Sequence, residues 1–193
     1  WGQSWSNIYD LVYTESRDTK SVNVTEIIQD RELTEKQMVE YAEDFFLSMG
    51  FDPLPETFWE RSLFVKPVDR SVVCHASAWN LDSANNDLRI KMCIQKNEED
   101  FITIHHELGH IFYYQAYNHL PTLFQGGAND GFHEAFGDLL TLSITPDYLN
   151  NIGFISKEEA ESAKEDAIGL LMKQALEGVV VIPWALMLDK WRS

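Results

Sequence analysis

Residues Thr103–Tyr114 read TIHHELGHIFYY, placing three histidines and a glutamate within six residues of an otherwise apolar run. A helical repeat sets His106 and His110 one turn apart on one face, with Glu107 beside them. This is the His-Glu-x-x-His pattern of a zinc-hydrolase helix. Two imidazoles at i and i+4 can each offer a nitrogen to one ion at about 2.0–2.1 Å. Glu107, offset around the helix, can touch a water at the ion without ligating it. The bare pattern also arises by chance on ordinary helices, so a third donor is needed. A catalytic zinc takes three protein ligands and keeps one position open.

Residues 126–145, GGANDGFHEAFGDLLTLSIT, supply one. Asn129 or Asp130 can cap a helix in which Phe132, Phe136, Leu139 and Leu140 recur at helical spacing. Glu134 and Asp138 stand one turn apart on it. Glu134 can complete a His, His, Glu set, while Asp138 can accept a hydrogen bond from the outer ring nitrogen of a ligating histidine. Gly109 and Gly137 would let the two helices approach closely. His133 reads either as facing the site or as a partly exposed helical histidine.

The remaining chain reads mostly as helix. Thr34 and Gln37 form a capping box ahead of Met38, Tyr41, Ala42, Phe45, Phe46 and Met49, and Gly50 ends that segment. Pro53 and Pro55 mark a loop. The metal helix is expected over about Asn97 to Tyr117 and the Glu134 helix over about Asp130 to Ser143. A Ser156/Glu159 capping box opens the last helical region, which Pro183 should kink or divide. Phe101, Phe112 and Trp184 read as core. Cys74 and Cys93 flank two extended patterns around the turn-forming DSANND, so a hairpin would bring them together, as a bridge or as two buried thiols.

With 193 residues, 45% of them hydrophobic, the chain can bury one sizeable core. A net charge of −16 argues against nucleic acid or an anionic membrane as partner, and otherwise reads as a solvated surface. The longest apolar run, VVVIPWALML at 179–188, is too short for a membrane span and contains Pro183. Asn23-Val24-Thr25 is a glycosylation sequon, in keeping with secretion.

HHELGH followed after 23 residues by EAFGD, with GAN and GFHEA between, resembles the angiotensin-converting enzyme family of zinc dipeptidases. The resemblance extends to both ends through WSNIYDL, FWERS, VVCHASAW, DLRIKMC and DKWR. It implies a mainly α, zincin-type helical metallopeptidase with a small antiparallel β-hairpin beside the active-site helix. Residues 1–193 would be a single, incomplete piece of a larger two-lobed catalytic domain. By the resemblance His106, His110 and Glu134 are zinc ligands, Glu107 is the general base and later proton donor, and Asp138 backs a ligand. It implies a Cys74–Cys93 disulfide, which fits an oxidising compartment. The backbone of Ala76 and Ala78 would pair with an extended peptide, and His75 would hydrogen-bond it near the scissile bond. Glu99 and Asp100 match acidic positions near the leaving dipeptide, or serve only as helix N-terminal charges.

The implied reaction releases C-terminal dipeptides from oligopeptides at the cell exterior or its membrane face, with no partner protein called for. The family's oxyanion-stabilising tyrosine and histidine, its residues that grip the substrate carboxylate and its chloride-binding arginines lie outside this stretch. Chloride as a second cofactor therefore stays open, and the 193 residues alone are expected to be poorly active. Gln125, Gly126 and Asp130 depart from the vertebrate pattern in ways that bear on specificity and leave the donors intact. Two rivals remain. The family's single-residue carboxypeptidases read CHPTAW where this chain has CHASAW, and a binding protein on the same fold would be expected to have lost ligands that are present here.

Overall fold

The computed structural model describes residues 5–13, 22–165 and 167–192. Their contacts form two units, residues 23–154 and the two ends, 1–22 with 155–193. The larger unit contains helices α2 (Val24–Asp30), α3 (Glu35–Ser48), α4 (Glu56–Arg61), α5 (Glu98–Asn118), α6 (Asp130–Thr141) and α7 (Pro146–Asn151), and strands β1 (Ser77–Asp82) and β2 (Asp87–Lys91). The end unit contains α1 (Tyr9–Val12), α8 (Lys157–Glu165) and α9 (Ala167–Arg192). The fold is mainly helical with one small antiparallel sheet, as expected.

Helix boundaries follow capping chemistry. Thr34 accepts from the Gln37 N–H while the Gln37 side chain accepts from the Thr34 N–H, closing the box that starts α3. Gly50 takes φ +92° just beyond its end. Asn97 caps α5 through the Asp100 N–H, and Asn129 caps α6 through the Phe132 N–H, so Asn129 and not Asp130 is the cap. Ser156 and Glu159 form the reciprocal pair that opens α8.

The core is built on α5. Phe101, Ile104, Leu108, Ile111 and Phe112 are fully buried, each contributing about 1.5–3 kcal/mol by leaving water. Phe112 stacks on Phe46 of α3 with ring centroids 4.3 Å apart. Another face of α5 meets α6 where Gly109 opposes Gly137. A Cβ on Gly109 would lie 3.0 Å from the Gly137 Cα. Along α6, His133, Gly137 and Leu140 share the face toward α5, Glu134 and Asp138 lie on one flank, and Phe132 and Leu139 lie on the other. The apolar pattern of α6 is therefore only partly covered: Leu140 is buried while Phe132 and Leu139 are exposed.

In the hairpin Ala78 pairs with Ile90 and Trp79 with Arg89, and a bulge lies between Asn80 and Asp82. Asp87 bridges Arg61 at 2.8 Å and Arg89 at 2.7 Å. These guanidiniums, Arg89 foremost, hold its carboxyl down at about 2. Leu63 adds a short parallel bridge outside β2, donating to the Ile90 carbonyl at 2.9 Å and accepting from Met92 at 2.8 Å. The Ile90 N–H goes to Ser62 Oγ at 3.0 Å. Both backbone groups of Ile90 thus face away from β1, so Ile90 and Ala78 form a non-hydrogen-bonded pair and Ala78 turns its own N–H and C=O outward. β1 is the outer strand. Cys74 and Cys93 are disulfide-bonded with Cα atoms 5.0 Å apart, joining the approach to β1 to the exit from β2.

Two sequence expectations need correcting in the end unit. Pro183 does not divide α9, which is continuous from Ala167 to Arg192. Proline removes one N–H and crowds the preceding turn, which disturbs a helix locally but need not stop a long one. Trp184 is 47% exposed and is not core; Leu176 and Val180, one turn apart, are the buried hydrophobic residues among those described on this helix. No helix among the described residues is long and apolar enough to cross a membrane.

Candidate metal centre

His106 and His110 stand one turn apart on α5, and α6 brings Glu134 opposite them. The His106 and His110 Nε2 atoms are 3.1 Å apart. Glu134 Oε2 is 3.2 Å from the first and 3.5 Å from the second. With donor–metal distances of about 2.0–2.1 Å, a tetrahedral centre places its donor atoms about 3.3–3.4 Å apart. The three atoms thus form nearly one face of such a tetrahedron, and two imidazoles with one carboxylate are a set that suits zinc. Among the described residues this is the one group of three or more such donors.

The supports of the two imidazoles differ. Asp138 Oδ1 lies 2.9 Å from His106 Nδ1, as expected from the spacing. His106 is further held by Gly137, where a Cβ would lie 2.8 Å from its Nδ1. His110 Nδ1 instead meets His133 Nδ1 at 2.6 Å. Burial, first of all, pulls the pKa values of His110 and His133 below the usual range, which keeps their lone pairs available. The sequence left His133 undecided. Its i, i+4, i+7 relation to Gly137 and Leu140 puts it on their face of α6, and the Gly109–Gly137 contact turns that face to α5.

Glu107 is 6% exposed, and burial raises its pKa, opposed by nearby His106 and reinforced by Glu134. It lines a cleft of about 430 Å³ together with His106, His110, Glu134, Tyr114, His75 and Ala78. The expected peptide-facing residues are therefore brought to the donor triangle. Ala78 turns its backbone to the outer edge, and Ala76 lies just before β1. The His75 Nδ1–H donates to the Ala76 carbonyl at 2.7 Å, which orients the ring and leaves Nε2 as an acceptor. Glu99 and Asp100 line a second cleft of about 730 Å³ on the disulfide side, which also reaches His106 and Asp138. Asp100 additionally accepts from the Gln95 N–H.

His105, the third histidine of the run, faces the core. Its Nδ1–H donates to the Phe101 carbonyl at 2.8 Å and its Nε2 lies 2.9 Å from the Tyr148 hydroxyl. Burial pulls its pKa down to about 4. Asn23 is exposed and its side chain caps α2, while Thr25 Oγ1 accepts from the Glu98 N–H at 3.0 Å. Both polar residues of the sequon thus serve helix starts.

Two helices thus bring His106, His110 and Glu134 together as a group that could hold a metal ion, with the buried carboxylate of Glu107 beside it. The family model described as peptidase family M2, angiotensin-converting enzyme, matches residues 1–193. The chain is 45% identical to the angiotensin-converting enzyme of Bos taurus, 44% to that of Oryctolagus cuniculus and 40% to that of Haematobia irritans exigua. Each match covers all of this chain, but only 14% of either mammalian protein and 31% of the fly protein. The chain belongs to the angiotensin-converting enzyme family.

Proposed function

We propose that these residues form the metal-binding core of a zinc-dependent peptidyl-dipeptidase that releases C-terminal dipeptides from oligopeptides. The observation that carries this reading is the His106, His110, Glu134 triangle, with donor atoms 3.1, 3.2 and 3.5 Å apart. His106, His110 and Glu134 would hold the ion, which when bound polarises the scissile carbonyl and acidifies water. Glu107 takes the proton of the attacking water and returns it to the leaving amine. Its raised pKa suits both duties, because a more basic carboxylate accepts more readily and its acid form persists long enough to donate. Asp138 holds the His106 ring by its outer nitrogen. The outward backbone of Ala78 pairs with an extended substrate at the open edge of β1, and His75 stands at the same cleft.

The Cys74–Cys93 bond supports an oxidising, extracellular setting, to which an Asn23 glycan would belong. The reading is tested by incubating the intact protein with an N-terminally blocked peptide and identifying the products by mass. Release of a dipeptide is the expected result. Release of single residues would favour the carboxypeptidase branch, and no cleavage by a zinc-loaded protein would favour a binding role.

A further inference from the structure

We infer that His133 is the positioning residue for His110, so that the two histidine ligands are backed by different chemistry: a carboxylate behind His106 and an imidazole behind His110. This rests on the zinc reading above. The His110 ring aims Nε2 at the donor triangle, 3.1 Å from His106 Nε2 and 3.5 Å from Glu134 Oε2. A neutral imidazole that ligates through Nε2 carries its proton on Nδ1. The His110 Nδ1–H therefore donates to His133 Nδ1 at 2.6 Å. That assignment puts the His133 proton on Nε2, which faces the Tyr117 hydroxyl at 3.4 Å. The result is one directed chain of donors from His110 through His133 to Tyr117.

The ring of His133 is held in place from several sides. The rings of Tyr113 and Tyr114 lie with centroids 4.6 and 4.8 Å from it. Gly127 leaves it room, since a Cβ there would lie 2.9 Å from His133 Cδ2. Asn129 anchors the start of its helix one residue before Asp130. A ring confined in this way fixes the plane and tautomer of His110 as Asp138 does for His106, and outer partners of this kind typically govern about 10- to 100-fold in metal affinity.

The test compares His133→Phe, which keeps the ring and loses the acceptor, with His133→Asn, whose Oδ1 reaches the position of Nδ1. Zinc affinity is measured on the intact protein by chelator competition, with far-UV circular dichroism to confirm folding, and the visible spectrum of the cobalt-substituted protein reports the ligand field. His133→Phe should bind zinc about 10- to 100-fold more weakly and shift the cobalt bands, and His133→Asn should recover most of both. Equal affinity in the wild type and His133→Phe, or equal losses in both variants, would overturn the inference and leave the zinc reading standing. Failure of the unsubstituted protein to bind zinc would overturn both.

Discussion

Gly137 has no room for a side chain: a Cβ there would lie 2.8 Å from Nδ1, 3.0 Å from Cε1 and 3.1 Å from Cγ of His106. It is therefore as much a part of the centre as the donors it touches. Gly137→Ala should displace the His106 ring from Asp138 and weaken zinc binding by roughly tenfold or more. Far-UV circular dichroism should change little, because alanine favours helix. Chelator competition on the variant checks this, and unchanged affinity would show that the ring has slack. At this scale the sequence is legible where chemistry lies within one helix. His106, Glu107 and His110 follow from one stretch, and Glu134 and Asp138 from another. The role of His133 depends on how α6 is rotated against α5, which the Gly109–Gly137 contact sets, and a helical repeat alone leaves that rotation undetermined. The third histidine of the run shows the converse, since His105 shares the motif's sequence neighbourhood and points into the core.

In the proposed reading the hairpin is the element that turns a metal site into a peptide site, and two devices hold it. The Cys74–Cys93 bond closes a sequence separation of 19 residues. Its reduction should destabilise this unit by about 3 kcal/mol, read from denaturant unfolding. Alkylation of the unreduced protein should label no thiol. The second device is Asp87 between Arg89 and Arg61. Its pKa of about 2 lies below the ordinary value of about 3.9, so its contribution is full above about pH 4 and is lost as pH falls toward 2. Asp87→Asn should lower the thermal midpoint at neutral pH, and the gap from wild type should close between about pH 4 and pH 2. A gap of constant size would mean that the ion pairs contribute nothing. The starts of α3 and α8 were legible because Thr34 and Ser156 open capping boxes, while the choice between Asn129 and Asp130 at α6 was left to the structure. The continuity of α9 through Pro183 was not legible, because the cost of one proline is weighed against the rest of a 26-residue helix.

For the molecule as a whole, the larger unit, residues 23–154, carries His106, His110, Glu134, Glu107 and the outer strand edge. The substrate cleft is another matter. Glu134 and Asp138 are 64% and 75% exposed, so α5, α6 and the hairpin wall only part of the site. Residues 1–193 expressed alone should therefore bind zinc yet turn over a blocked tripeptide far more slowly than the intact protein, and comparable rates would contradict this. Family membership was legible because short motifs from WSNIYDL to DKWR are spread over the chain. The exposure of Trp184 was not, since helical spacing marks a stripe as apolar without saying what covers it.

In the proposed site His106, His110 and Glu134 hold a catalytic zinc for which Glu107 is the base and not a ligand. Metal content and peptide turnover of Glu107→Gln and His110→Ala, measured in the intact protein, test it most directly. Glu107→Gln should keep one zinc per site while its turnover falls by about 10² to 10⁴, because an amide cannot accept the proton of water. His110→Ala should lose metal and activity together, because two donors hold zinc less well than three. Near-normal turnover in Glu107→Gln, or loss of its zinc to the extent seen in His110→Ala, would rule out Glu107 as a base that does not ligate the metal.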